Sequence, residues 1–511
     1  MRGFVYEKAA MHPILLRIPL PQFPLKLWWG LTTIAIVAFG FSAWAQRTKD
    51  KGGAVTGAVI GFAAGLGSYL WRGVSFDSPG LPLYSYGVML GLSLVVGWYL
   101  TLTLAERDGL PKESMANCYV VTAIAAIIGS RVLYVVTNLG EFNSLADVFK
   151  VRLGGLVAYG GFIGGYLGSW AYLKSKQIRL MPWADVAVPS LASGLMITRI
   201  GCYMFGCDFG KPLADDAPGW LKSLGTFPHW ATGTVENGDG SPAFIRHTEL
   251  YKGTPLGAVL TKTNASLPVH PTQIYESLVG LALLTLLLTQ RRTQKFRGQI
   301  FFLFVFGYGY LRFLLEMLRD DVERGEYGPT MPEHVLLPGA LLLMSLGFVF
   351  GISLGITNKS TRLAARIASF VPPVVAYVML KPQSFGASVS TQLSTSQWIG
   401  VLTALAVSLF YAQFSAEAKR QPKVAMSRET LGPGAAIELA KESGDAAKAK
   451  AEADDEHGDE KDGAPDTDDE AALTVTKAEA PRPKKRERVS GEDEAAPESE
   501  GESGGKPAPQ G

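Results

Sequence analysis

An all-α, polytopic transmembrane bundle with an unfolded charged tail is the fold class this sequence predicts, and three features predict it. Apolar runs of about twenty residues, the length a helix needs to cross a bilayer's hydrocarbon core, recur about eleven times before Phe414. Basic residues gather in every second loop between those runs. At Ser415 the composition turns to Ala, Glu, Lys, Asp, Pro and Gly, almost without aromatics. The averages over 511 residues, 47% hydrophobic with a formal net charge of +2, describe neither regime and carry no information about partners.

Residues 1–26 form a short basic lead broken by prolines, and residues 27–45 the first apolar run. Its end, Ala43-Trp44-Ala45, has the form of a signal-peptidase site, but the lead is long and a second run follows at once, so it reads as a span. Further spans are expected at 53–71, 84–104, 114–137, 154–173, 183–205, 271–290, 299–318, 334–352, 366–380 and 398–414. The basic loops (Arg47/Lys49/Lys51, Arg107/Lys112, Lys174/Lys176/Arg179, Arg291/Arg292/Lys295/Arg297, Lys359/Arg362) face the cytoplasm by the positive-inside rule. That places the amino terminus and the insert 211–269 outside and the carboxyl terminus inside. Lys150/Arg152, Arg319/Arg324 and the basic lead run against this pattern. Residues 415–511 cannot bury enough apolar surface to fold and read as a solvated cytoplasmic tail.

Topology gives meaning to the polar residues inside the spans. Arg199 lies about six residues, or roughly 9 Å, inside the outer end of its helix. Arg131 and Arg312 stand at a similar depth, while Tyr86, Tyr159 and His270 sit near outer helix starts. A guanidinium at bilayer depth costs about 3 kcal/mol and seldom sits there without a partner. A single arginine near a helix end can simply snorkel to the interface; three at one level, beside glycines, point to a site for an anionic headgroup. Arg312, Glu316 and Arg319, at i, i+4 and i+7, share one helix face, so Glu316 can hold Arg312 while leaving donors for a phosphate. Glycines spaced by four in Tyr159-Gly160-Gly161-Phe162-Ile163-Gly164-Gly165 predict close helix packing, and the start of that helix can also offer N–H groups to an anion. His270-Pro271-Thr272-Gln273-Ile274-Tyr275-Glu276 reads as a helix start, with His270 a titratable base. The three cysteines, Cys118, Cys202 and Cys207, make no disulfide framework and suggest no metal site.

These residues together resemble the prolipoprotein diacylglyceryl transferase family. The resemblance rests on Tyr86-Gly87, Gly129-Ser130-Arg131 with Tyr134, Tyr159 to Gly164, Arg199-Ile200-Gly201 through Gly210, His270 to Glu276, and Tyr308-Gly309-Tyr310-Leu311-Arg312 with Glu316. It divides the chain into an extension with two spans (1–81), a core (82–357) with its outer insert, two further spans (358–414) and the tail (415–511). It implies a bacterial plasma-membrane enzyme that moves the diacylglyceryl group of phosphatidylglycerol to the lipobox cysteine of prolipoproteins, forming a thioether and releasing glycerol phosphate. Such a reaction needs a cationic clamp on the phosphate, a base for the thiol and a water-poor pocket open to lipid. The expected catalytic residues are then Arg199, Arg312, Tyr159 and His270. The expected substrate contacts are Tyr86, Arg131, Gly160, Gly161, Gly201, Gly210, Gln273, Tyr275, Glu276 and Glu316. No cofactor, metal or nucleic acid is implied, and the tail's partner is undefined.

Three positions depart from the family pattern. Tyr159 stands where many members have His, Cys202 where Asn is common, and Cys207 where an acidic residue is common, with Asp208 adjacent. A tyrosine with a pKa near 10 makes an uneasy base unless Arg131 or Arg199 lowers it, so three readings stay open: His270 serves, Tyr159 only orients the headgroup, or the thiol ionises in the arginine field. The alternatives to an enzyme are a non-catalytic lipid-binding paralogue or a transporter-like protein. A transporter would show an internal repeat with helices broken at the midplane, and the sequence shows no such repeat.

Overall fold

The computed structural model describes residues 13–18, 25–47, 51–70, 72, 75–76, 81–142, 155–230, 240–320, 325–382 and 389–456. Among them, nine helices are long and apolar enough to cross a membrane, and Gly57–Leu70 is a shorter apolar stretch. The chain is a multi-pass membrane protein, and large apolar side chains such as Ile36, Phe62, Val95, Ile128 and Leu409 stay exposed on the bundle's outside, as lipid-facing positions do.

The extension opens with β1 (Ile14–Ile18), β2 (Leu25–Lys26) and the helices α1 (Leu27–Arg47) and α2 (Lys51–Leu70). It then returns through β3 (Ser75–Phe76) and β4 (Leu81–Tyr84). β1 pairs antiparallel with β4 and β2 with β3, which ties the extension to the start of the core. α3 (Ser85–Arg107), α4 (Lys112–Thr137) and α5 (Ala158–Ser175) follow. The α4–α5 contact is as tight as the glycine spacing predicts. A Cβ on Gly160 would lie 2.3 Å from the Gly129 carbonyl oxygen, and one on Gly164 would lie 2.3 Å from that of Ala125.

α6 (Leu180–Phe205) crosses the middle of the bundle and ends on Gly206, whose φ of +82° is a left-handed cap. The insert beyond it holds α7 (Gly219–Leu224), α8 (Pro242–Leu250) and α9 (Pro255–Thr263) around a small core of Tyr203, Phe209, Phe227, Ala243 and Val269. α10 (Thr272–Arg291) packs on α6: Ser277 Oγ donates to Met196 O at 2.7 Å, and a Cβ on Gly280 would lie 2.6 Å from Met196 N.

α11 (Gln299–Glu316) is fixed at its first turn by the buried Asp185 of α6. That carboxylate accepts from Gly298 N at 2.6 Å and from Ile300 N and Phe301 N at 3.0 Å each, satisfying donors that a helix start leaves orphaned. Asp185→Ala strands these groups at about 1–3 kcal/mol apiece. We expect a fall of several degrees in the apparent Tm in detergent, against no measurable change for Glu113→Ala.

β5 (Glu326–Pro332), α12 (Glu333–Phe350), α13 (Lys359–Ala368), α14 (Val371–Leu380), β6 (Ser390–Ser394) and α15 (Thr395–Arg420) complete the spans. The span expected at 366–380 is two helices with a break at Ser369–Phe370, just before Pro372 and Pro373, which suit a helix start and not its interior. α15 exceeds its apolar run at both ends and begins with a capping box between Ser394 and Gln397. It lies against α11 at a glycine crossing, where a Cβ on Gly400 would meet the Gly309 carbonyl oxygen at 3.0 Å.

The tail does not begin at Ser415. A 3-10 turn at Arg428–Leu431 and α16 (Pro433–Glu456) follow α15, and residues beyond 456 lie outside those described. Beyond Lys448 the chain belongs to a separate unit. Leu431 and Ala435 are buried among the end of α3, the start of α4, the end of α5 and the start of α6. Arg179 N donates to Leu431 O at 2.9 Å, and Glu442 accepts from Lys112 N and Glu113 N at 3.0 Å each, capping α4 from outside its own sequence. Hydrogen bonds from Lys441 and Lys176 hold the Glu438 carboxyl down at about 2. A depressed carboxyl contributes above its unfolded value of about 4.3 and loses that contribution as pH falls through its folded value. Docking is therefore at full strength at neutral pH. Glu438→Ala/Glu442→Ala is expected to speed proteolysis in the 421–432 joint several-fold without changing helix content.

Candidate active site

Three helix ends converge where α6 finishes, α10 starts and α11 finishes. α10 presents Gln273 and Glu276, three residues apart and so on one face, to the loop leaving α6. Thr272 Oγ1 donates to Asp208 O at 2.5 Å and Gln273 Nε2 donates to Cys207 O, so α10 holds that loop by its backbone. Asp208 sits at φ +56°, a left-handed conformation that Asp tolerates better than most residues. Gly210 then passes where no side chain fits: a Cβ there would lie 2.7 Å from both His270 Cβ and Leu318 O. The resulting bridge between Gly210 and Arg319 sets Arg319 beside Asp208.

The side chains form one ionic chain. Arg312 pairs with Glu316 at 2.8 Å and faces Glu276 at 3.5 Å. Glu276 pairs with Arg199 Nε at 2.5 Å, Arg199 Nη1 with Asp208 Oδ2 at 2.5 Å, and Asp208 Oδ1 with Arg319 Nη2 at 2.5 Å. Three guanidiniums thus meet three carboxylates. Burial opposes ionisation of Asp208, but Arg199 and Arg319 overcome it and hold the carboxyl at about 2. With the folded value depressed, its contribution stays intact above an ordinary Asp value of about 3.9 and fades only as pH approaches 2.

The cluster is not saturated. Among the described residues, Arg312 Nη1 and Glu276 Oε1 are fully buried and face each other at 3.5 Å without closing a hydrogen bond, and Gln273 Oε1 is buried without a hydrogen-bond partner. A buried guanidinium N–H whose facing carboxylate stands too far for a hydrogen bond is under-satisfied, and a phosphate oxygen is an acceptor that its planar fork suits.

Tyr159 lies in the field of Arg312, Tyr308 and Glu316 and reaches the Ser396 hydroxyl on α15. Tyr86 lies in the field of Arg199, Cys202, Cys207 and Asp208. Gly201 lets it approach, because a Cβ there would meet Tyr86 Cα at 3.1 Å. The structure thus gathers Arg199, Arg312, Tyr159, Tyr86, Gly201, Gly210, Gln273, Glu276 and Glu316. Arg131 instead donates to Gly155 O at 3.0 Å and lies over Tyr134 and Phe142, fastening α4 to the start of α5. Gly160 and Gly161 are spent on helix packing, with the Gly161 N–H donating to Val157 O at 3.4 Å. His270 stays in the loop before α10, its Nδ1 3.4 Å from Tyr275 Oη. Burial and the charge of Lys211 keep its pKa below the ordinary value, hence neutral at pH 7.

Asp208, Arg319 and Ser396 were not among the expected site residues. Arg319 had a signal in its i+7 spacing from Arg312, and Asp208 in its place beside Cys207. Ser396 had none.

Comparison with known proteins places this segment in a family. A family model described as prolipoprotein diacylglyceryl transferase matches residues 73–356, the segment that carries the cluster and leaves α1, α2 and α13 to α16 outside. Phosphatidylglycerol–prolipoprotein diacylglyceryl transferase 2 of Clostridium perfringens is 30% identical over 281 residues, covering 53% of this chain and 94% of that protein. The Clostridium tetani transferase is 28% identical over 251 residues, covering 48% and 85%. The Halalkalibacterium halodurans transferase is 29% identical over 265 residues, covering 51% and 81%.

Proposed function

Because the chain belongs to the prolipoprotein diacylglyceryl transferase family, we propose that this transferase moves the diacylglyceryl group of phosphatidylglycerol onto the thiol of a lipobox cysteine. The thiol gives up its proton, the sulfur attacks the glyceryl carbon, the carbon–oxygen bond breaks with its electron pair leaving on the phosphate oxygen, and the proton ends on the released glycerol phosphate or in solvent. The observation that carries this reading is the buried Nη1 of Arg312, which faces Glu276 at 3.5 Å without closing a hydrogen bond and is joined through that carboxylate to Arg199. Two forks held by carboxylates form a preorganised receptor for the charge that develops on the leaving phosphate.

Glu276, Glu316 and Asp208 hold the arginines in place. Tyr159, in the field of Arg312, orients the headgroup. His270, turned to Tyr275, stands apart from that role. The site lies in the outer half of the bilayer, with the amino terminus outside and the tail in the cytoplasm. The loops on which the tail docks, at Lys112 and Lys176, carry the basic residues that mark the inner side. The prolipoprotein then meets the enzyme after its lipobox has crossed the membrane.

The test is mass spectrometry of a lipobox peptide incubated with the protein in phosphatidylglycerol liposomes. We expect a diacylglyceryl adduct on the cysteine; its absence with folded protein leaves a lipid-binding paralogue. Tyr159→Phe is expected to lower kcat about 10–100-fold with little change in thermal stability. Ser396→Ala, which also removes a 3.0 Å hydrogen bond to Ser394 at the start of α15, should show a smaller loss in the same assay.

A further inference from the structure

Two thiols stand against the arginine cluster. Cys202 Sγ lies 3.6 Å from Arg199 Nη1, Cys207 Sγ lies 3.9 Å from Asp208 Oδ2, and their ligand atoms lie within 4.8 Å of one another. Their meeting follows from the helix cap. Gly206 N and Cys207 N both donate to Cys202 O, at 2.8 and 3.3 Å, around the left-handed Gly206. A cap of this kind brings the residue just past it onto the residue one turn back, here Cys207 onto Cys202. The backbone of Cys207 and Asp208 is held by Gln273 and Thr272, so the thiols approach through side-chain movement alone.

A metal ion is a poor occupant, because both Asp208 oxygens are taken by Arg199 and Arg319 and a cation would sit among guanidiniums. Free thiols are also awkward here. The site turns a thiol on the diacylglyceryl carbon, and a cysteine beside Arg199 is a nucleophile of the same kind whose thioether product would be permanent.

We propose that Cys202 and Cys207 close into a disulfide that pins Asp208 between Arg199 and Arg319 and withdraws both thiols from competition with the substrate cysteine. Closure removes one proton from each thiol and passes two electrons to a disulfide oxidant, which is reduced to two thiols, by attack through a mixed disulfide. The inference rests on the proposed transferase chemistry and on an outward-facing site, where disulfides persist. Cys118, buried in α4, has no such neighbour and serves as the free-thiol reference.

The full-length protein is equilibrated in glutathione buffers, denatured, alkylated and digested, and the peptide holding Cys202 and Cys207 is weighed. Under glutathione disulfide it should run about 2 Da below the dithiol form with no adduct, while Cys118 is alkylated. Dithiothreitol should open the bond and lower lipobox turnover several-fold, and phosphatidylglycerol should then leave a diacylglyceryl adduct on one of the two cysteines. Cys202→Ser and Cys207→Ser should each lose the turnover response to reductant, whatever their own rate.

Alkylation of both cysteines in every buffer, a glutathione adduct on one of them, or stoichiometric bound zinc would overturn the proposal. So would turnover indifferent to reduction of a demonstrated bond. The peptide mass is read without turnover, so a closed disulfide on inactive protein counts against the transferase reading alone.

Discussion

Arg199→Ala should reduce glycerol phosphate release by at least about three orders of magnitude. Removing a single donor to a developing oxyanion costs about 10²–10³ in rate, and this donor also positions two others. Arg199 binds Glu276 and Asp208 at 2.5 Å each. Without it Glu276, only 2% exposed, keeps Arg312 at 3.5 Å as its cationic neighbour among the described residues. Breaking a buried pair typically destabilises by about 3–5 kcal/mol, so a loss of activity could reflect unfolding. Arg199→Lys separates the two effects. Lysine keeps the charge but cannot span Glu276 and Asp208 with a planar fork. It should fold, elute as wild type in size exclusion, and still lose about 100-fold. Wild-type rates in Arg199→Lys would show that charge alone suffices and that the fork is dispensable.

Glu276→Gln should lower kcat about 10²–10³-fold while lowering the KM for phosphatidylglycerol. Glu276 is the one carboxylate shared by Arg199 and Arg312. Its neutral isostere leaves, among the described residues, three guanidiniums facing two carboxylates, one positive charge more than before, which attracts an anionic headgroup more strongly in the ground state. The same change releases both forks from the alignment the leaving phosphate needs. A fall in kcat together with a fall in KM means that the ground state is bound more tightly while transition-state stabilisation is lost, the signature of a positioning role. A rise in KM at unchanged kcat would assign Glu276 to uniform binding instead.

Much of this was legible in the sequence because the bilayer imposes a simple rule. A spanning helix needs about twenty apolar residues, and each expected run corresponds to helix, including Gly57–Leu70 and the broken pair α13–α14. Arg199 and Arg312 were legible because a charge at depth demands partners, and Glu316 because four residues separate it from Arg312. Spacing gives depth and face, however, not the neighbour across a helix boundary. His270 looked like a base at the right level, yet its ring turns to Tyr275. Arg131 looked like a third clamp, yet it fastens a loop. Asp208 acquires its role from a left-handed turn, and Arg319 from the chain crossing that Gly210 permits. The charged composition after Ser415 read as solvated throughout. The first turns of α16 dock with two small buried contacts and two glutamates, too few to alter an average.

The most direct test of the account counts two products of one reaction. Purified wild-type protein in phosphatidylglycerol liposomes with a lipobox peptide should release one glycerol phosphate for each peptide thioether formed, and release should stop in Arg199→Ala. Release without peptide would make the protein a lipid hydrolase. Thioether formation undiminished in Arg199→Ala would contradict the arginine clamp on which the mechanism stands.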